Sequence, residues 1–260
     1  MARTSLEIQK AVVFALFVRE LKTRFGKYRL GYVWALIEPM AHVIAISFIW
    51  HAMGHADFAG IPVALFLATG IIPYLFFKKT TTLCMGAVEA NRGLFNYRQV
   101  RPVDPVLARI ILESMIFFAS YLLLLFIAAW FLNYEVGVHN LLGLIVVNAL
   151  LFLMTFGVGL TFSVYGTLYP EIMKLVPILI FRPMYFMSGI MFPLIVIPVK
   201  YHDWLLWNPL LHVVELNHLF YFRSFETGEV SLLYVLFFAL ASTTFGLLSY
   251  RKKWMQMVAT

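Results

Sequence analysis

Long apolar runs alternate with short polar and basic segments along almost the whole chain. Six runs reach the ~20 residues that a helix needs to cross a hydrocarbon core of ~30 Å. They cover residues 32–53, 61–83, 105–132, 141–168, 172–192 and 231–250, and each predicts a membrane-spanning helix. A seventh apolar stretch, 194–222, is interrupted by Pro198, Lys200, His202, Asp203, Asn208, Pro209 and Glu215. It predicts two short helices that dip into the membrane from one side, which is tolerable only where protein or a water-filled cavity surrounds them. Ahead of the first span, Phe14, Phe17, Leu21 and Phe25 recur at helical spacing, while Arg19, Glu20, Lys22 and Arg24 lie largely elsewhere on the wheel. Residues 1–31 therefore predict an amphipathic helix in the cytoplasmic interface, its cations close to anionic headgroups.

Composition fixes the solvent. The apolar set makes up 62% of 260 residues and the charged set 13%, about half the usual ~25% share. Mean hydropathy is +0.85. Such a chain cannot cover itself with polar surface, so the expected fold is an all-α integral membrane protein, one domain over residues 1–260. The balance of 20 Lys+Arg against 13 Asp+Glu gives a net charge of +7, which on its own would suggest a nucleic-acid partner. Position decides otherwise. With the six spans alternating, 17 of the 20 cations fall on one side: the N-terminal segment, the connection of spans two and three, Lys174, and Arg251 to Lys253. The connections 51–60 and 133–140 carry none. The bias is a topology signal that puts both termini in the cytoplasm, and the nucleic-acid reading loses its support. Cys84 is the single cysteine, so no intramolecular disulfide forms. The first apolar run, 11–18, leads into Arg19, Glu20, Lys22 and Arg24 rather than a small-residue cleavage site, so no signal peptide is expected.

Candidate chemistry sits in the connections and at the polar positions within spans. The loop "EANRGLFNYRQVRPVDP" over 89–105 is longer than a plain connection requires. Its Leu94, Phe95 and Tyr97 form an apolar patch, and Arg92, Arg98 and Arg101 offer charge pairing, which together suit docking of a cytoplasmic protein. The turn 169–174 with Glu171 is a smaller contact on the same side or a simple tight turn. Arg182 falls inside the fifth span, where a cation costs ~2.5–3.5 kcal/mol and needs a cavity or partner. If that span begins nearer Val176, Arg182 snorkels instead. Around it Phe181, Tyr185, Ser188 and Phe192 follow at i, i+4, i+7 and i+11, a face that suits either helix packing or a sugar chain. Glu38 and His42 give the first span a second polar stripe, with Pro39 between them expected to kink it. The N-terminal helix carries Phe17, Arg19, Lys22, Arg24 and Lys27, either as a gate or partner surface for a lipid-linked substrate or as a topology anchor.

Several chemistries have no residues to carry them. The chain contains no G-x-x-x-x-G-K-[ST], H-E-x-x-H, C-x-x-C or G-x-S-x-G. His51 and His55 are spaced for a metal, but Gly54 between them reads as loop, so no metal site is expected. His212, Glu215 and His218 would form a small ionisable cluster or serve structurally at the outer rim.

Five stretches, in order, carry a resemblance: "LFVRELKTRFGKYRLGYVWALIEP" (16–39), "GLFNYRQVRPVDP" (93–105), "YPEIMKLVPIL" (169–179), "SGIMFPLIVIP" (188–198) and "LLWNPLLHVVEL" (205–216). Together they resemble the permease subunits of ATP-driven polysaccharide exporters in bacterial envelopes. The capsular-polysaccharide permeases of Gram-negative bacteria, the KpsM type, are the most similar; O-antigen and teichoic-acid permeases share the outline. The resemblance implies an inner-membrane homodimer of six-span subunits with two cytoplasmic ATPase subunits. ATP and Mg would be held on that partner, and no cofactor on this chain. It further implies that 93–101 is a coupling helix within a coupling loop 89–104, and that 194–222 holds re-entrant helices gating the periplasmic exit. A lipid-linked polysaccharide would be the substrate, passed to a periplasmic co-polymerase or adaptor. Two other readings remain open on the residues alone. One is a membrane-embedded lipid-linked sugar transferase or polymerase using Glu38, His42 or the His212–Glu215–His218 group. The other is a permease for small lipids or drugs.

Overall fold

A computed structural model describes residues 4–26, 31–55, 57–58 and 60–259, without the side chains of Tyr32 and Ala259. Helix α1 (Ser5–Phe25) starts at a reciprocal cap: Thr4 Oγ1 accepts from the Glu7 N–H and the Glu7 carboxylate accepts from the Thr4 N–H at 2.8 Å. After α2 (Gly31–Ala52), a two-residue-per-strand hairpin, β1 (Asp57–Phe58) with β2 (Ile61–Pro62), turns at Gly60, whose φ of +78° a side chain would resist. Then come α3 (Val63–Met85), a 3-10 turn (Glu89–Leu94), α4 (Val103–Phe131) and α5 (Leu141–Leu168). A broken stretch follows: α6 (Ile172–Val176), a π turn (Pro177–Phe181), α7 (Arg182–Phe186), two 3-10 turns, α8 (His202–Leu205) and α9 (Pro209–Tyr221). The long α10 (Leu232–Ala259) ends the described chain.

Among the described residues, five helices are long and apolar enough to span a membrane: α2 from Val33, α3, α4, α5 and α10 to Val258. α3 is the axis of the bundle. It touches α2, α4, α5 and α9, and most of its residues are buried. α4, α5 and α10 instead present large apolar side chains outward, among them Phe118, Phe126, Trp130, Leu142 and Phe237, as lipid-facing helices do. α5 and α10 lie in close contact because both are small where they cross. A Cβ on Gly157 would come within 2.4 Å of the Thr243 nitrogen, and one on Gly246 within 2.6 Å of the Gly157 carbonyl oxygen.

The predicted fifth span needs correction. Helical backbone begins at Ile172 as expected but stops at Phe186, and its middle is the π turn. Pro177 and Pro183 each lack an N–H, and together they prevent a regular α ladder. Residues 172–186 extend about 22 Å at 1.5 Å per residue, short of the ~30 Å core. Residues 187–192 turn away through Gly189, at φ +69°, where a Cβ would meet Glu215 Oε1 and Leu211 Cδ1 at 2.9 Å. The stripe Phe181, Tyr185, Ser188, Phe192 is therefore not one helical face. The last span also differs, running to Ala259 so that Arg251, Lys252 and Lys253 extend the helix itself.

The interrupted stretch 194–222 does yield two short helices, α8 and α9. All of α9 except Leu219 and Phe220 is buried.

Candidate functional site

Two groups of polar residues stand out, one at the end of the bundle where the basic residues collect and one midway along its spans. At the basic end, α1 lies against the start of α4. Phe17, Leu21 and Phe25 pack on Leu112, Ile116 and Ala35, and the charged face of α1 turns inward beside them. Arg24 Nη1 meets Glu113 Oε1 at 2.5 Å, and Arg109 Nε meets Glu20 Oε1 at 2.9 Å. Arg109 Nη1 also donates to the Leu83 carbonyl, which ties α4 to the end of α3. Glu113 is fully buried; Arg24 partners its Oε1, while its Oε2 has no hydrogen-bond partner among the described residues. Arg19 Nη1 donates to Asn91 Oδ1 at 2.6 Å, and Asn91 in turn donates to the Ala87 carbonyl, fastening the 3-10 turn to α1. Two of the α1 cations expected at lipid headgroups, Arg19 and Arg24, thus bond protein groups, although Arg19, like Lys22, remains exposed. Lys27 lies outside the described residues.

The loop beyond that turn divides its residues between two faces. Phe95 packs inward on Val88, Val164 and Met257, so it holds the loop rather than offering a contact. Arg92, Tyr97, Arg98 and Arg101 are exposed, Tyr97 at 60%. Asp104 Oδ2 accepts the Arg101 N–H at 2.7 Å and closes the loop onto α4. Between α1 and the loop runs a groove of about 630 Å³ whose lining includes Ala11, Ala15, Arg19, Leu94, Tyr97 and Val100. Glu171 is exposed in the turn between α5 and α6; beside it Lys253 Nζ lies 4.9 Å from the Tyr165 ring.

The second group is a seam between α2, α3 and α7. Lys79 Nζ on α3 bonds Glu38 Oε2 on α2 at 2.5 Å, with side chains 25% and 53% exposed. One turn along α2, His42 Nε2 is 2.9 Å from Tyr185 Oη on α7. Tyr185 stands edge-on to Tyr74, whose hydroxyl donates to the Phe181 carbonyl and so fixes the π turn. Of the residues predicted to line a channel, Glu38, His42 and Tyr185 meet here. Phe181 is buried against Phe77 and Phe162, and Ser188 is buried as the acceptor of an Asn208 amide bond at 2.9 Å. Arg182 is exposed with no ion pair among the described residues. Phe192 is half-exposed against Trp50.

The three ionisable residues of α9 do not form a cluster. Glu215 Oε1 accepts the Leu194 N–H at 2.8 Å, His218 Nε2 bonds the Phe66 carbonyl at 3.1 Å, and His212 bridges the Leu206 carbonyl and the Ser231 N–H. Burial pushes the Glu215 carboxyl up to about 7 and the His218 ring down to about 3, with those backbone bonds opposing it. Each side chain holds a different piece of backbone, the role of a structural plug.

The sequence pattern marked Glu20 only as a charge on α1 and did not single out Arg109, Glu113 or Asn91. A signal was present: Arg109 and Glu113 are ionisable residues inside an otherwise apolar span, four apart, and α1 offers Glu20 and Arg24 at the same spacing with opposite signs.

The sequence pattern of the ABC-2 type transporter family matches residues 11–221. The chain is 44% identical to the polysialic acid transport protein KpsM of Escherichia coli, over 97% of this chain and 97% of that one. It is 27% identical to the capsule polysaccharide export inner-membrane protein BexB of Haemophilus influenzae, over 85% of this chain and 82% of the relative. A more distant relative, at 23% identity over 90% and 88%, is the O-antigen export system permease protein RfbA of Klebsiella pneumoniae.

Proposed function

The chain belongs to the ABC-2 type transporter family, and on that premise we propose that it is the membrane-spanning subunit of a capsular-polysaccharide exporter in a Gram-negative inner membrane. The observation that carries the reading is the seam. Glu38, Lys79, His42 and Tyr185 lie within or beside spanning helices yet remain half-open. Ionised groups in such a place are costly against lipid, so the seam faces a second copy of the chain or a wet path between the two. A polymer of sugars needs such a path, since its hydroxyls find no partners in hydrocarbon. Aromatic rings beside the pair suit sugar C–H faces, and Lys79 and the exposed Arg182 of α7 outnumber Glu38, which favours an acidic glycan. Phe181 and Ser188 support the seam from behind rather than touching substrate.

Energy enters from another chain. Two cytoplasmic ATPase subunits, holding ATP and Mg, dock on Leu94, Tyr97, Arg92, Arg98, Arg101 and Glu171. Because Arg19–Asn91 and the Arg109 bonds join the loop to α1, α3 and α4, a push on the loop moves these elements together. In this reading both termini are cytoplasmic, the stretch 172–192 completes a sixth crossing in two pieces, and α8 and α9 form the re-entrant gate at the outer exit. A lipid-linked polysaccharide is handed there to a periplasmic adaptor. The transferase alternative loses the α9 residues as a joint acid–base group, because His212, Glu215 and His218 each bond a different piece of backbone, and it keeps only Glu38 and His42.

The test is cysteine cross-linking along α2 and α7 in native membranes, combined with capsule export. Pairs across two copies near Glu38 and Tyr185, with export blocked by the cross-link, are expected. Cross-links confined to α4 or α10 would place the second copy elsewhere and remove the path.

A further inference from the structure

Between α4 and α5 the fold leaves a crevice that none of these roles uses. Its volume is about 620 Å³, and α3 and α9 close its floor. Met115, Phe118 and Leu122 of α4 and Leu141 and Ile145 of α5 flank it, each at least half exposed on a spanning helix. It therefore opens sideways into hydrocarbon. Its lining holds no charged residue, and α2 and α7, which carry the seam, take no part in it.

Most polar groups in the wall are already satisfied. Thr69 and Ser114 bond carbonyls of their own helices, and Tyr221 Oη donates to the Val136 carbonyl. The Asn217 amide links Val213 and Asn148. Two groups are left over. Tyr121 Oη and Asn148 Oδ1 have no hydrogen-bond partner among the described residues. Both line the crevice, and a polar atom that faces hydrocarbon without a partner costs on the order of 1–3 kcal/mol, since an alkyl chain offers it nothing.

Depth indicates what could satisfy them. α5 has 28 residues, or about 42 Å of helix, roughly 12 Å more than a ~30 Å core. With that excess shared, the ester level falls about 6 Å from the end of α5, and Asn148, about 11 Å along it, lies about 5 Å below that level, within reach of a lipid drawn into the slot. A hydroxyl donor and an amide acceptor beside a slot for an alkyl chain match a glycerolipid: an ester carbonyl for Tyr121 and a headgroup N–H for Asn148. An uncharged lining suits a headgroup with no net charge better than an anionic one.

We propose that the α4–α5 crevice binds one zwitterionic glycerophospholipid of the bilayer, an acyl chain lying along Phe118 and Phe152, with an ester carbonyl held by Tyr121 and a headgroup N–H by Asn148. The ligand is a membrane lipid and not the lipid end of an exported glycan, whose acidic head would find no cation here.

The experiment places the full chain in vesicles of phosphatidylethanolamine and phosphatidylglycerol. A small fraction is phosphatidylethanolamine with a diazirine on one acyl chain, and labelled peptides are mapped after irradiation. Labels should concentrate on 114–125 and 141–152 over the equally exposed faces of α2 and α10. Tyr121→Phe, which removes an unpaired hydroxyl, should cut labelling there about fivefold, the weight of one ordinary hydrogen bond. Ile145→Trp, at the exposed mouth, should abolish it, while Ile145→Ala should leave it. Even labelling of all lipid-facing helices, or labelling indifferent to both Tyr121→Phe and Ile145→Trp, overturns the site. Native mass spectrometry of the chain from capsule-making and capsule-lacking hosts separates the two sources. A phospholipid retained from both supports the proposal; a glycolipid retained only from the capsule-making host overturns it. Neither arm measures export, so the exporter reading and the lipid site stand or fall separately.

Discussion

The charge pairs joining α1 to α4 and the pair in the α2–α3 seam use the same side-chain chemistry in opposite settings. Arg109–Glu20 is shut in, each side chain at or below 11% exposure, and Arg24–Glu113 is shut on its acidic side, with Glu113 fully buried and Arg24 23% exposed. Glu38–Lys79 is open, with half of the Glu38 side chain accessible. A closed pair cannot exchange partners without uncovering a buried charge, so it fixes the position of α1. An open pair gives up little on separating, because solvent or a polar ligand replaces each partner. The first is built to hold and the second to be used.

The largest effect should come from breaking the closed set. Arg109→Ala strands the buried Glu20 and the Leu83 carbonyl and should cost about 3–5 kcal/mol, whereas Glu113→Ala leaves a partly exposed Arg24 without its partner and should cost less. Lower membrane levels and a lower unfolding temperature in detergent would register it, and the exchange Glu20→Arg with Arg109→Glu should recover part of the loss. Wild-type levels in both single variants would mean that the lattice does not hold α1. Next in size is Lys79→Ala. Capsule export should fall tenfold or more with the amount of protein in the membrane unchanged, and export at the normal rate would remove the seam from the path. The docking loop should split along its two faces. Arg98→Glu with Arg101→Glu should reduce ATPase co-purification several-fold without lowering permease levels, whereas Phe95→Ala should lower permease stability first by about 3 kcal/mol or less, given its partial burial. Equal effects of both changes on co-purification would erase that division. The smallest effect is the stability change of Lys79→Ala itself, expected within about 1 kcal/mol because the pair is exposed. A loss comparable to that of Arg109→Ala would show that the seam is closed in the working protein.

Some of this was legible before any fold was known. Residues 141–168 form α5 to the residue, since an uninterrupted run of that length in lipid has no alternative to a helix. Of the apolar positions Phe14, Phe17, Leu21 and Phe25 read from the spacing, the last three pack against α2 and α4, while Phe14 is exposed. The fifth span misled because hydropathy counts apolar residues without weighing where prolines fall; Pro177 and Pro183 break a run that averages as continuous. The aromatic stripe failed with it, since an i, i+4, i+7 spacing means a face only while the helix lasts.

What the sequence determined by itself was the solvent, the helical class, the gathering of the basic residues in particular connections and the residue types available along each span. These follow from transfer free energies and backbone hydrogen bonding, which are local and additive along the chain. Only the tertiary structure decided which charges are spent on each other and which remain open: that Arg24 meets Glu113 across 89 positions, that Lys79 meets Glu38, and that Phe95 turns inward while Tyr97 stays outside. Partnership depends on which helices lie side by side, and no periodicity within a single helix encodes its neighbour.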